Sequence, residues 1–212
     1  MGTRSWTSAV LTAGVALASG LAGPTSLGAQ ATREWEVHVN PYVGVLVFDD
    51  SELNEVGREA NIGPLLGGRV TVPLSRAWWV EGAYGYAALT VEPSDSRDPQ
   101  AAADHDLGVH LFYGAAGYLI GSREVPTRLL LSAGLGGITL QPEGDDSTTH
   151  FLATVGVGFT HPVNDWITFR GDARDLVEFC REDDASGAFR ACLNDEALNH
   201  IEVSGGLQFK VR

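Results

Sequence analysis

Residues 166–175, which read WITFRGDARD, decide the fold. Successive side chains of a β-strand point to opposite faces, so Ile167, Phe169 and Ala173 share one face of this segment. The opposite face carries only polar and charged side chains: Thr168, Arg170, Asp172 and Arg174. Such a face cannot be buried in membrane hydrocarbon, but it can line the interior of a narrow barrel whose neighbouring strands supply opposite charges.

The same alternation recurs along the chain and predicts eight strands. They are predicted at residues 35–48, 62–74, 77–89, 107–120, 127–140, 149–163, 166–179 and 200–211. Glycines recur inside these segments, and a crowded barrel interior accommodates them better than a helix does. Each segment is long enough to cross a bilayer at a tilt, and outer-membrane barrels have an even number of strands. The sequence therefore predicts an all-β fold, an eight-stranded antiparallel up-and-down transmembrane β-barrel.

Within each predicted strand, the more apolar set of alternate residues is assigned to the lipid and the other set to the lumen. In the first strand the valines are predicted to face outward and Glu36 to face inward. In the fourth strand Val109 and Leu111 are predicted outward, whereas His110 and Gly114 are predicted inward.

The connections between the predicted strands alternate in length. Those after the second, fourth and sixth strands are short turns, and the others are longer and acidic. Outer-membrane barrels have this asymmetry, with short turns on the periplasmic side. Aromatic residues near the strand ends are predicted to form interfacial belts. These residues are Trp35, Trp78, Trp79, Tyr118, Trp166 and Phe179.

The acidic side chains of the long connections are predicted to keep the loops solvated. Alternatively, they gather divalent cations that bridge the phosphates of lipopolysaccharide. They are Asp49, Asp50, Glu52, Glu55, Glu59, Asp145, Asp146, Glu182, Asp183 and Asp184. The formal net charge of −13 argues against nucleic acid as a partner and against peripheral attachment to an anionic membrane surface.

Residues 1–31 have the order of a secretory signal peptide. A positive charge precedes an uncharged apolar run at 6–22, and small residues allow cleavage after Ala29 or Ala31. The alternative, a membrane anchor, is disfavoured because the run is short and interrupted by glycine. The predicted mature domain, residues 32–212, is the barrel.

The chain has two cysteines, Cys180 and Cys192, which lie close together in the sequence. In an exported protein such a pair predicts one disulfide that closes a short loop. Two free thiols are the alternative. A metal site is disfavoured because no second Cys or His pair has ligand spacing.

Three local patterns support a family resemblance: NPYVG at 40–44, VEGAYGY at 80–86 and FRGDARD at 169–175. The chain resembles the small eight-stranded outer-membrane barrels of the OmpA and OmpX type and the wider group of outer-membrane β-barrel domain proteins. The resemblance covers essentially all of the predicted mature chain. It implies a monomer in the bacterial outer membrane, in contact with membrane lipid and lipopolysaccharide. It also implies insertion by the barrel assembly machinery and no cofactor.

The polar side chains predicted to face the lumen form the main candidate site. They are Glu36, His38, Arg69, Glu81, His110, Arg170, Asp172, Arg174, Glu202 and Lys210. We interpret them as a network of paired charges that fills the lumen. The alternative is a conduction path or gate in a minor pore, although an eight-stranded barrel leaves interior space only for side chains.

The predicted function is non-enzymatic, without catalytic or metal-binding residues: envelope integrity, surface interaction through the loops, or at most a minor pore. One alternative is a lipid-modifying outer-membrane enzyme. Its candidate acid, base and nucleophilic residues lie in or beside the loops: Ser94, Ser96, Asp104, His105, Asp106 and Ser147. The other alternative is a soluble, lipocalin-like periplasmic binder of an apolar ligand. That fold needs apolar residues inside and polar residues outside, which is the reverse of the pattern at 166–175.

Overall fold

The computed structural model describes residues 36–49, 58–60, 62–93, 105–121, 125–143, 147–179 and 197–211, with backbone alone for 58–60, 91–93 and 105. The predicted signal peptide lies outside these ranges, and so does the predicted disulfide between Cys180 and Cys192. No helix in the described ranges is long and apolar enough to cross a bilayer.

Nine β-strands occur in the described part of the chain. They are β1 (Val37–Val47), β2 (Arg58–Ala60), β3 (Gly63–Pro73), β4 (Trp78–Pro93), β5 (His105–Ile120), β6 (Arg128–Pro142), β7 (Thr148–Pro162), β8 (Ile167–Phe179) and β9 (Ala197–Val211). The eight long strands confirm the eight predicted from the sequence. The three-residue β2 lies in a segment predicted as loop, and β4 extends beyond the predicted end of its strand at residue 89.

The long strands form one closed antiparallel sheet. Each pairs with the next long strand along the chain, and β1 pairs with β9 from Val37↔Val211 to Val47↔Ile201. The short β2 extends the sheet beside the end of β4. Closure removes the free edges between the long strands, as a backbone surrounded by lipid requires. The predicted eight-stranded up-and-down barrel is confirmed.

Short turns mark one end of the barrel, which we call the short-turn end. Between β3 and β4, Ser75 Oγ accepts a hydrogen bond from Trp78 N at 3.0 Å. Between β7 and β8, Asn164 Oδ1 accepts one from Ile167 N at 2.8 Å. Ser and Asn favour such turns because their side chains bond to the local backbone. The other end of the barrel, which we call the loop end, is where the long connections begin.

The outer wall of the barrel is apolar. Valine, leucine, isoleucine and aromatic side chains project from every long strand, and Val43, Leu135 and Leu66 are each at least 60% exposed. Arg170 and Arg174 lie inside and are each 1% exposed. This confirms the predicted orientation of 166–175 and contradicts the lipocalin-like alternative. A wall of this kind faces acyl chains.

The predicted orientation of β5 was wrong. Val109 and Leu111 are fully buried in the lumen, whereas Phe112 and Gly114 lie on the outer wall. The physical reason is that both alternating sets of the predicted segment 107–120 are apolar or small, apart from His110. The difference in polarity between the two sets was therefore too small to show which set faces the lumen. An assignment that is wrong by one residue places every side chain of the strand on the wrong face.

Candidate functional site

Six charged side chains meet in the middle of the lumen, and we call them the central belt: Arg69, Glu81, Arg170, Asp172, Arg174 and Glu202. All six are at most 5% exposed. Three are cationic and three are anionic, so the belt is neutral as a whole. A neutral, mutually bonded set avoids the large cost of an isolated buried charge.

Strand β8 supplies half of the central belt because alternate residues of a strand share a face. Arg170 Nε donates to Asp172 Oδ2 at 2.9 Å, and Arg170 also bonds to Glu81 on β4. Arg174 Nη2 donates to Glu81 Oε1 at 3.0 Å. The belt therefore ties β8 to β4 across the lumen.

Strands β3 and β9 complete the central belt. Arg69 Nη1 donates to Asp172 Oδ2 at 3.1 Å, and its Nη2 donates to Ser204 Oγ at 2.7 Å and pairs with Glu202. Glu81 also accepts a hydrogen bond from Thr71 Oγ1 at 2.9 Å. Hydrogen bonds to charged groups are the stronger class, and here they link strands from around the barrel.

Each arginine of the central belt lies near an aromatic ring inside the lumen. The Arg69 guanidinium lies 3.8 Å from the ring centroid of Tyr42. The Arg170 guanidinium lies 5.1 Å from Trp79, and that of Arg174 lies 5.2 Å from Tyr113. Such cation–π contacts add attraction when the groups are desolvated. The prediction of Trp79 as part of an interfacial belt was wrong, because this side chain is 3% exposed and points inward.

Glycines make room for these rings. A Cβ atom on Gly117 would lie 2.0 Å from Trp79 Cζ2, and one on Gly67 would lie 2.3 Å from Tyr42 Cζ. Gly117 and Trp79 are register partners of β5 and β4, so a large residue and a small one face each other across the ladder. The sequence-based expectation that glycines serve a crowded interior applies at these positions.

An apolar layer fills the lumen between the central belt and the loop end. Among its fully buried members are Leu46, Leu65, Leu111, Ile138, Leu152 and Leu176. They come from six strands around the barrel and belong to one continuous cluster. Two successive layers of side chains therefore fill the lumen along the barrel axis, one charged and one apolar.

A buried His–Glu–His cluster lies near the loop end, and sequence reasoning missed it. His200 Nε2 lies 2.7 Å from Glu178 Oε2, while His200 Nδ1 accepts a hydrogen bond from Asp49 N at 2.9 Å. His150 pairs with the other oxygen of Glu178. Since Nδ1 accepts, Nε2 of His200 carries the proton that it donates to Glu178. The alternation along β8 could have identified Glu178 as a lumen residue, because Glu178 lies on the same face as Arg174 and Arg170.

The remaining predicted lumen residues do not belong to the central belt. Glu36, His38 and Lys210 lie near the short-turn end, where Glu36 pairs with Lys210 and His38 bonds to Gln208. His110 does not enter the lumen, so its assignment was wrong. It lies on the outer wall, where its Nδ1 is 2.8 Å from Tyr84 Oη.

Most of the residues considered for catalysis or cation binding lie outside the described residues. Asp106 and Ser147 are exposed, and only the backbone of His105 is described. Ser94, Ser96 and Asp104 lie outside the described residues, as do the predicted acidic loop residues apart from Asp49 and the backbone of Glu59. No group of three or more metal-binding side chains with suitable geometry occurs in the ranges that the structure covers.

A closed eight-stranded barrel with an apolar outer wall and ion pairs inside is a membrane-spanning β-barrel of the outer-membrane type. Bacterial barrels of this type reside in the outer membrane. The chain is similar to Neisserial surface protein A, with 12% identity, 84% of this chain and 97% of that chain covered, and a TM-score of 0.51. It is also similar to the N-terminal barrel domain of Pseudomonas aeruginosa OprF, with 14% identity, 83% and 97% coverage and a TM-score of 0.48. These similarities concern the fold. No protein-family model and no curated protein sequence matches the chain.

Proposed function

We propose that this protein is a non-enzymatic outer-membrane barrel with a closed lumen, which supports envelope integrity and presents acidic loops at the cell surface. It works as a monomer among outer-membrane lipid and lipopolysaccharide, after insertion by the barrel assembly machinery. The observation that carries the proposal is the central belt. Six buried, mutually bonded charges occupy the middle of the lumen, where a pore needs open space.

Conductance measurements test the closed lumen. We expect the purified, refolded barrel to give no unitary current steps in planar bilayers, even at high salt concentration. Folding is checked by the heat-dependent gel mobility of the same sample. Reproducible steps from the folded wild-type protein would instead support the minor pore.

A complementation experiment separates the structural role from the surface role. Deletion of the gene should increase sensitivity to detergent and to large antibiotics, and the full chain should restore resistance. A variant in which a short linker replaces residues 180–196 keeps the membrane-spanning strands but lacks the loop after β8. Full rescue by this variant supports the barrel itself as the functional part, whereas failed rescue by a folded variant assigns the role to the loop.

Lipid analysis tests the non-enzymatic assignment. We expect lipid A from deletion and overexpression strains to have the same mass spectrum. A mass shift that appears on overexpression and disappears with Asp106→Asn would replace the proposal with a lipid-modifying activity.

A further inference from the structure

A groove of about 770 Å³ opens at the short-turn end of the barrel. Arg76, in the turn before β4, and Arg128, at the start of β6, both line it. Tyr118, Ile120 and Val125 supply apolar lining between them. The groove is separate from the central belt.

The end of β5 positions the two arginines on its opposite sides. Leu119 N donates to Ala77 O at 2.8 Å, which holds the turn containing Arg76 against β5. On the other side, Arg128 packs over Gly121, where an added Cβ would lie 2.9 Å from Arg128 Cγ. Because β4 and β6 both pair with β5, the ends of those two strands lie about 10 Å apart, or two strand spacings.

Both arginine side chains are available to an anion. They are exposed, and neither forms an ion pair or side-chain hydrogen bond with any residue that the structure describes. Among the described residues, the charged side chains that line the groove are Arg76 and Arg128, both cationic, in a chain whose net charge is −13. Lys210, a cation near the same end, is instead paired with Glu36.

The groove lies at the boundary between water and lipid. Trp78 and Tyr118 are exposed on the outer wall beside it and make an edge-to-face contact with ring centroids 5.0 Å apart. Exposed aromatic pairs of this kind mark the headgroup level of a membrane barrel. Ile120, which lines the groove, is 43% exposed and belongs to the same wall. The short turns of such barrels face the periplasm.

We propose that this groove binds the headgroup of an anionic phospholipid from the periplasmic leaflet. The guanidinium groups of Arg76 and Arg128 hold the phosphate, since planar guanidinium donors match phosphate oxygens well. The acyl chains continue along Tyr118 and Ile120 down the outer wall. A lipid fits better than free phosphate because the groove opens onto the apolar wall as well as onto water.

Native mass spectrometry of the full barrel, released from maltoside micelles, tests the proposal. Phosphatidylglycerol and phosphatidylcholine are the two probes, and the Arg76→Gln/Arg128→Gln variant is compared with Lys210→Gln, which removes one charge near the same end. We expect wild type to retain one phosphatidylglycerol in preference to phosphatidylcholine. Each arginine removed should weaken binding about fivefold, whereas Lys210→Gln should stay within about twofold of wild type.

Three outcomes would overturn the proposal. They are equal retention of the two lipids by wild type, equal loss in Lys210→Gln and the double variant, and displacement of the lipid by an equimolar amount of inorganic phosphate. If the double Gln variant does not fold, the Arg76→Lys/Arg128→Lys variant takes its place. It keeps the charge but not the planar donors, so it should bind more weakly than wild type and still prefer phosphatidylglycerol. Loss of that preference in the folded Lys variant would also overturn the proposal.

Discussion

Arg170 is the side chain through which β8 and β4 are joined in the central belt. It bonds to Asp172 on its own strand and to Glu81 across the lumen. Arg170→Met keeps most of the volume but leaves the belt with one uncompensated buried negative charge. We expect the free energy of unfolding to fall by about 3–5 kcal/mol, as for other broken buried pairs. Urea unfolding in detergent micelles, followed by tryptophan fluorescence, measures the change.

The control for this prediction restores neutrality. In Arg170→Met/Glu81→Gln the belt again has equal numbers of cations and anions, so part of the lost stability should return. A double variant that is as unstable as the sum of its single variants would show that net charge inside the lumen is not the controlling quantity.

His110 and His200 lie on opposite faces of the barrel wall, so the same substitution at the two positions gives a controlled comparison. His200→Leu should destabilise the barrel by about 1–3 kcal/mol, because it removes bonds to buried Glu178 and to Asp49 N. His110→Leu should change stability by less than about 1 kcal/mol, since it places an aliphatic group on the outer wall. The same unfolding assay compares them, and a larger loss for His110→Leu would contradict the observed orientation of β5.

At the scale of the strand, β4 and β5 fit together because Trp79 faces Gly117. Gly117→Ala should cost about 1–3 kcal/mol through overpacking, because the new Cβ would overlap the Trp79 ring. Gly114→Ala on the same strand is the control, since its Cβ would meet nothing closer than 3.9 Å. Thermal shifts of gel mobility report both changes. Trp79→Leu should restore tolerance of Gly117→Ala, and equal damage from both glycine variants would contradict the fit.

The strands also show which features of the fold the sequence predicts. On β8 Arg170, Asp172 and Arg174 alternate with Gly171 and Ala173, so Arg170 and Asp172 were assigned inward correctly. In the predicted segment 107–120 of β5 both faces are apolar or small, and its one histidine, His110, misled the assignment. The partners across the lumen, such as Arg69 with Asp172, were not predictable one by one. Distances across a barrel depend on shear and closure, which no local pattern encodes.

At the scale of the whole molecule, two layers of buried side chains fill the lumen. The central belt fills it with ion pairs, and the leucine-rich layer nearer the loop end fills it with apolar side chains. Hydrophobic constrictions stop ion flow by dewetting, and the belt side chains occupy the space that an ion would need, so we expect either layer alone to prevent conduction. Removal of a cross-lumen ion pair should therefore leave the barrel non-conducting.

A stepwise conductance experiment tests the central belt and the apolar layer separately. Glu81→Ala/Arg170→Ala takes one anion and one cation from the central belt and keeps it neutral, so folded protein should still give no current steps. Adding Leu111→Ala and Leu152→Ala, which thin the apolar layer, should produce steps. The leucine changes alone should not, because the intact belt still fills the lumen. Current from the belt variant alone would mean that the apolar layer is permeable to ions and that the ion pairs are the only barrier.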